Sequence, residues 1–250
     1  MNYEIYYQTD IGKVRQHNED AVAVFKGEHL ALMVVADGMG GHAAGEIASG
    51  IAINHISEKF TQDLAFASSD EARIWLKNVL ESINADILAY AKGNDFKKGM
   101  GTTLVVAIIA QDFVAFAHVG DSRAYLLAYD ELRQVTKDHT FVRRLVEQGQ
   151  LSERGAKIHP QKNIIINALG TQPDLDFDFV VLERACVDAI MLCSDGLTGV
   201  VEDEVIADMM SAEVPVSQKV ENLIAMANES GGKDNISVCI LEFVKGGARS

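Results

Sequence analysis

Residues 102–128 read TTLVVAIIA-QD-FVAFAHV-GDS-RAYLLA, three apolar runs separated by links of two and three residues. Links that short permit antiparallel neighbours and forbid parallel crossovers, which need a dozen residues or more. The stretch is therefore read as a meander of three antiparallel strands. Outward from it, short apolar runs at 3–9, 21–25, 30–36, 177–182, 189–193 and 236–243 also read as strands. Helical spacing shows in Trp75, Val79, Ile83 and Ile87, and again in Val216, Val220, Leu223, Ile224 and Ala227, with Pro215 suited to a first turn. Residues 43–60 are a third helix candidate, with Ile47 and Ile51 on one side. Antiparallel runs with a few long helices imply sheet layers covered by helices, an α+β sandwich.

Composition narrows what such a sandwich can do. The chain has 250 residues, 48% hydrophobic and 23% charged, which is ordinary globular composition. With 3 Pro and no Ser- or Pro-rich linker, residues 1–250 read as a single domain. A net charge of -14 argues against nucleic acid, whose binding needs a basic face. Residues 1–9 are too polar for a signal peptide, and the longest apolar run, 102–110, is too short to span a bilayer. The expectation is a cytoplasmic monomer with no membrane contact. Cys186, Cys193 and Cys239, odd in number and set in or beside apolar runs, read as buried, reduced thiols.

Two segments echo each other. Leu32-Met33-Val34-Val35-Ala36 runs into Asp37-Gly38-Met39-Gly40, and Ile190-Met191-Leu192-Cys193-Ser194 runs into Asp195-Gly196-Leu197. In each, an apolar strand delivers an Asp at its edge, and the following Gly is read as letting the backbone turn sharply with its carbonyl reachable. Asp121 after Gly120 and Asp234 after Gly231-Gly232-Lys233 add two more, and Asp20 makes a fifth. One Asp-Gly alone is an ordinary turn. Five carboxylates brought together would repel one another and raise their own pKa values unless cations sat between them. Oxygen ligands without Cys or His select hard ions, Mg²⁺ or Mn²⁺ over Zn²⁺. Arg15, in Arg15-Gln16-His17-Asn18-Glu19-Asp20, offers a planar fork that matches two phosphate oxygens, or else a surface ion pair with Glu19 or Asp20. An Arg, hard cations and no protein nucleophile suggest metal-assisted hydrolysis of a phosphate ester.

Eight motifs stand in order along nearly the whole chain. They are Arg15-x-x-Asn18-Glu19-Asp20, Ala36-Asp37-Gly38-Met39-Gly40-Gly41-His42, Gly101-Thr102-Thr103 and Val119-Gly120-Asp121-Ser122-Arg123, followed by Asp138-His139, Ala168-Leu169-Gly170, Ser194-Asp195-Gly196-Leu197 and Lys233-Asp234-Asn235. In these the chain resembles the metal-dependent phosphatases of the protein phosphatase 2C type, in their compact bacterial form. The resemblance implies a four-layer αββα sandwich, two mainly antiparallel β-sheets flanked by helices. It implies a protein serine/threonine phosphatase in which water or hydroxide held between two Mn²⁺ or Mg²⁺ ions attacks the phosphomonoester directly. Asp37 would bridge the two ions, the Gly38 carbonyl would bind the first, and Asp195 and Asp234 would complete the second. Asp121 with Asp195 would hold a weaker third. Glu19 and Asp20 would orient waters, Arg15 would hold the substrate phosphate, and Thr102 would support the site. Partners would be phosphorylated proteins, including a Ser/Thr kinase and its substrates.

One position departs from the animal-type pattern, which carries His directly after the Asp-Gly pair. Met39 stands there, with His42 three residues on, as in bacterial forms. His42 and a water on the third ion both remain open as the leaving-group acid. His139 reads as structural. Residues 141–163, with Arg143, Arg144, Arg154 and Lys157, correspond in the resemblance to the family's flap; they read as a solvated helix pair, as an aid in placing a phosphorylated segment, or as both.

Rival readings fail on particular residues. Gly38-Met39-Gly40-Gly41-His42-Ala43 fits the dinucleotide fingerprint, with Glu58 near the expected distance, but Asp37 would repel a pyrophosphate and Glu58 falls in a helical pattern. A catalytically dead binding module would have lost acidic positions, and every matched position here is acidic. There is no DxDxT, and no Arg follows a Cys at the spacing of a Cys-x5-Arg loop.

Overall fold

The computed structural model describes residues 1–41, 44–94 and 99–244. Strands β1 (Tyr3–Asp10), β2 (Asp20–Lys26) and β3 (Ala31–Met39) precede two long helices, α1 (Ala44–Lys59) and α2 (Ser69–Gly93). Five strands follow: β4 (Gly101–Thr102), β5 (Leu104–Ile109), β6 (Phe113–Val119), β7 (Arg123–Ala128) and β8 (Glu131–Gln134). Short helices α3 (Phe141–Glu147) and α4 (Glu153–Ile158) lead to β9 (Asp178–Glu183) and β10 (Ala189–Cys193). Last come α5 (Asp195–Thr198), α6 (Asp203–Ser211), α7 (Val216–Glu229) and β11 (Ile236–Phe243).

The strands form two sheets, ordered β1-β11-β10-β7-β8 and β2-β3-β5-β6-β9, with β4 on the end of β3; the pairings are antiparallel. Alternation along β3 shows how they stack. Met33 and Val35 face the other sheet, where Leu126, Ile190, Leu192 and Cys239 meet them. Leu32 and Val34 face outward onto Ala48, Ala52, Leu76, Leu80 and Ile83 of α1 and α2. On the far side, Tyr125, Met191, Val238 and Ile240 pack on Ile206, Met210, Val220 and Leu223 of α6 and α7. Period-two side chains therefore fill three cores between four layers, the expected αββα sandwich.

The helices follow from their sequences. Ala44, Ala48, Ala52 and Ile56 recur every four residues, and their small side chains bring α1 close onto β3. Ser68 caps α2 by accepting from the Glu71 N–H, and the Glu71 carboxylate accepts from the Ala67 N–H at 2.8 Å. Pro215 is the N-cap of α7, one position before its first turn.

Two readings need correction. The run 102–128 is not one meander: β5 and β6 pair, but β7 pairs with β10 in the other sheet. Both β6 and β7 are buried on both faces, so no polar alternation marks which sheet owns them. Gly120, at φ +108°, turns the chain across. Cys193 and Cys239 are buried, as expected, but Cys186 is exposed in the turn before β10. Among the described residues, no helix is long and apolar enough to cross a membrane.

Candidate active site

Strand register brings the acidic residues to one end of the sandwich. Asp20 opens β2 opposite Asp37, near the end of β3. Leu104 opposes Val119, so β6 reaches the same end just before Gly120 and Asp121. In the other sheet Cys193 lies between Arg123 and Val238, placing Asp195 just beyond β10 and Asp234 just before β11. Ser194 joins the two sheets there. Its hydroxyl donates to Asp20 Oδ2 at 2.7 Å, and its oxygen accepts from the Ser237 N–H at 2.9 Å.

Asp37 is fixed through its backbone. Its N–H donates to Thr103 Oγ1 at 3.0 Å, and its carbonyl accepts from the Thr103 N–H at 2.8 Å and Thr102 Oγ1 at 3.0 Å. Thr103 Oγ1 in turn meets Ser122 Oγ at 2.7 Å, beside Asp121. The glycines after Asp37 and Asp195 serve close approach, not the sharp turn read from sequence. Gly38 lies within β3, and a Cβ on it would sit 2.1 Å from the Gly45 carbonyl oxygen and 2.6 Å from that of Glu19. A Cβ on Gly196 would meet the Asn235 carbonyl oxygen at 1.9 Å. A Cβ on Gly45 would stand 2.6 Å from the Gly38 carbonyl oxygen and 2.8 Å from Glu19 Cδ, so both groups lie against the first turn of α1.

The electrostatics are those of mutually repelling, sheltered acids. Burial, followed by the charges of Asp20, Asp195, Asp121 and Asp234, holds the Asp37 carboxyl well above the ordinary carboxylate range. Burial pushes Asp20 up to about 7, against hydrogen bonds from Ser194 and Ser237. Burial and then Asp195 and Asp138 push Asp121 to about 8. Asp195 is raised by burial and by Asp234, with a hydrogen bond to Asp37 opposing the shift. Asp121 Oδ1 is buried and has no hydrogen-bond partner among the described residues.

Arg15 stands at the rim, exposed, with Nη2 donating to Asp234 Oδ2 at 2.8 Å. Its pairing is thus with Asp234, not with the Glu19 or Asp20 of the surface alternative. Asn235, which sequence reasoning passed over, ties the segments together. Its Nδ2 donates to the carbonyls of Ile11 and His17, and its Oδ1 accepts from the Glu19 N–H. Thr103, Ser122 and Ser194 were passed over likewise. All sit inside the quoted motifs, but only side-chain register shows that they orient acids. His42 lies outside the described residues.

A cleft of about 550 Å³ opens beside the cluster, with Asp121 and Asp195 on one wall and Arg143, Lys157 and Lys162 of the 141–163 segment on another. Arg143 donates to Glu153 and Lys157 to Glu202, each at 2.8 Å, so part of the basic character noted in sequence is already neutralised. Arg123 and Asp138, which also line the cleft, form a bidentate pair.

Cations fit this donor set. Acidic side chains from both sheets meet there, burial and then one another's charge hold several carboxyls away from their ionised form, and the buried Asp121 Oδ1 has no partner among the described residues. An αββα sandwich carrying such a cluster at one end of both sheets defines a candidate metal-dependent hydrolase. Comparison with known proteins agrees. The protein phosphatase 2C family model matches residues 12–239. The Serine/threonine phosphatase Stp of Listeria monocytogenes is 40% identical over 237 residues, 94% of each chain. The crystal structure of Stp1 from Staphylococcus aureus superposes with a TM-score of 0.90 at 36% identity, covering 98% of this chain and 96% of that one. The catalytic domain of the serine/threonine protein phosphatase PstP, solved in complex with two manganese ions, gives a TM-score of 0.84 at 34% identity over 98% and 99% of the chains. The chain belongs to the protein phosphatase 2C family.

Proposed function

We propose that this chain is a metal-dependent protein serine/threonine phosphatase acting as one domain, with residues 141–163 as a flap beside the site. The observation that carries the reading is the convergence of Asp20, Asp37, Asp121, Asp195 and Asp234 in mutual electrostatic contact, with Arg15 at the rim. Asp37, the Gly38 carbonyl, Asp195 and Asp234 would hold two Mn²⁺ or Mg²⁺ ions, and Asp121 with Asp195 a weaker third. Bound there, the ions would supply Lewis acidity toward the phosphoryl oxygens and lower the pKa of attacking water.

The chain's own residues do the rest. Arg15 binds the phosphate of a phosphoserine or phosphothreonine. Glu19 and Asp20 orient water, and Ser194 and Ser237 hold Asp20 in place for that task. Thr102 and Thr103 fix Asp37 from behind. The cleft receives the peptide flanking the phosphorylated residue. The leaving-group acid is His42 or a water near Asp121. Substrates are phosphorylated proteins, a Ser/Thr kinase and its targets among them, and the working compartment is the cytoplasm. Asp37→Asn and Asp195→Asn each remove a ligand while keeping size, and each should abolish hydrolysis of a phosphoserine peptide. A residual rate above about a tenth of wild type in either variant would refute its place in the cluster.

A further inference from the structure

His139 stands where three segments meet. Its N–H donates to the Gly120 carbonyl at 2.8 Å, and its Nδ1 accepts from the Gly120 N–H at 3.2 Å, so one residue clamps Gly120 from both sides. Its own carbonyl accepts from the Ile166 N–H at 2.8 Å, and Asn167 Nδ2 reaches Nδ1 at 3.2 Å. Thr140 bridges to Ile165, and the Phe141 N–H donates to the Ile164 carbonyl at 2.8 Å. The chain therefore enters and leaves the 141–163 segment through a single knot, with the imidazole at its centre.

A backbone N–H can only donate, so Nδ1 carries the lone pair and Nε2 the proton, 3.5 Å from Asp178 Oδ2. The His118 ring packs against it at 4.5 Å between centroids, and His118 Nε2 donates to the Lys137 carbonyl at 2.7 Å. His118, His139 and Asp178 present three polar atoms within 4.8 Å of one another, the pattern of a metal site. The tautomer speaks against that use. An ion would need the Nε2 lone pair, and the displaced proton would then sit on Nδ1, facing the Gly120 N–H.

What the arrangement does hold is the Gly120 turn. At φ +108°, with a would-be Cβ only 2.6 Å from Thr103 Cβ, the position admits only glycine, whose backbone is otherwise permissive, so the two hydrogen bonds with His139 help to hold this turn in one geometry. Asp121 follows directly, and with no hydrogen bond at its buried Oδ1, its placement depends on the backbone before it. We propose that His139 is a positioning residue that couples the flap to the Gly120–Asp121 turn, so that the seating of the flap sets where the Asp121 carboxylate stands. The consequence for catalysis rests on the role proposed above for Asp121. A peptide drawing the flap inward would, through His139, settle the loosest cation position.

The test uses two amides that place their polar atoms differently. Asn at position 139 puts Oδ1 where Nδ1 now accepts, whereas Gln reaches the Nε2 position and leaves the Gly120 N–H without its acceptor. In the full chain without cations, residue-resolved hydrogen exchange at the Gly120 amide should quicken on the order of fivefold in His139→Gln, the loss of one hydrogen bond, and stay near wild type in His139→Asn. Calorimetric titration with Mn²⁺ should show the weakest event loosened on the order of fivefold in His139→Gln and restored in His139→Asn, with the tight events unchanged. Asn and Gln variants that behave alike in both measurements would overturn the proposal. Should either variant not fold, Asp178→Asn, at an exposed carboxylate, replaces it; faster Gly120 exchange supports the coupling and unchanged exchange overturns it. A wild-type chain that binds no Mn²⁺ would count against the phosphatase reading, and the exchange comparison would still decide the coupling.

Discussion

Arg15 Nη2 donates to Asp234 Oδ2 at 2.8 Å. Cations on Asp234 would draw its charge away and leave the guanidinium fork to a phosphate. Arg15→Ala should therefore raise KM by a factor on the order of 10 while kcat changes less, the signature of lost ground-state binding. Arg15→Lys should recover only part, because a point charge cannot bind two oxygens at once. An unchanged KM in initial-rate measurements would leave Arg15 a surface partner of Asp234. Asp121 offers a second residue-level test. Asp121→Ala should lower turnover of a phosphoserine peptide by a factor on the order of 10 or more and lower that of an aryl phosphate less, since a phenolate leaves without much protonation. Equal losses on the two substrates would contradict that role. All five aspartates and Arg15 were legible as candidates in sequence because the chemistry needs those residue types, and glycines flag Asp37, Asp121, Asp195 and Asp234. The duty of the glycines was not legible. Gly38 and Gly196 follow their Asp in the way a turn glycine does, and only the 2.1 Å and 1.9 Å approaches of other chain segments reveal crowding as their reason.

That crowding belongs to the elements: α1 lies on the end of β3 at Gly38, and the Asn235 backbone before β11 lies on α5 at Gly196. Gly196→Ala should cost about 3 kcal/mol or more, because the opposing atom is backbone and cannot swing aside. Gly50→Ala is the matched control. Gly50 lies in α1 with open space around its would-be Cβ, and the change should stabilise by about 0.5–1 kcal/mol. Denaturant unfolding of both variants checks the pair, and a Gly196→Ala protein as stable as wild type would refute the close approach. Most elements were legible from apolar runs and four-residue spacing. The departure of β7 to the other sheet was not, because Ala124–Ala128 is buried on both faces and looks the same in either sheet. Strand β8, mostly exposed, and helix α6, short and opened by Asp203 and Glu204, lack the long apolar runs that exposed the others.

At the scale of the whole molecule, a chain of net charge -14 gathers five of its carboxylates at one end of two sheets. Folding without cations raises Asp20 from 3.8 to about 7 and Asp121 from 3.8 to about 8. Between those limits the native state binds more protons than the unfolded chain, so its stability falls as pH rises. The cation-free protein should melt at a lower temperature at pH 8 than at pH 5.5, and saturating Mn²⁺ should remove most of that difference. A cation-free protein at least as stable at pH 8 would contradict the strained cluster. The four-layer architecture and the convergence of motifs from both sheets were expected from the resemblance; from the residues alone, convergence was an inference that strand register now supplies. On the function proposed above, this cluster would hold cations that activate water against a phosphomonoester. The most direct test is the turnover of a phosphoserine or phosphothreonine peptide by exhaustively chelated protein, followed by titration with Mn²⁺. The stripped protein should show no hydrolysis, and added Mn²⁺ should restore the untreated rate. Full turnover by the stripped protein would contradict that function.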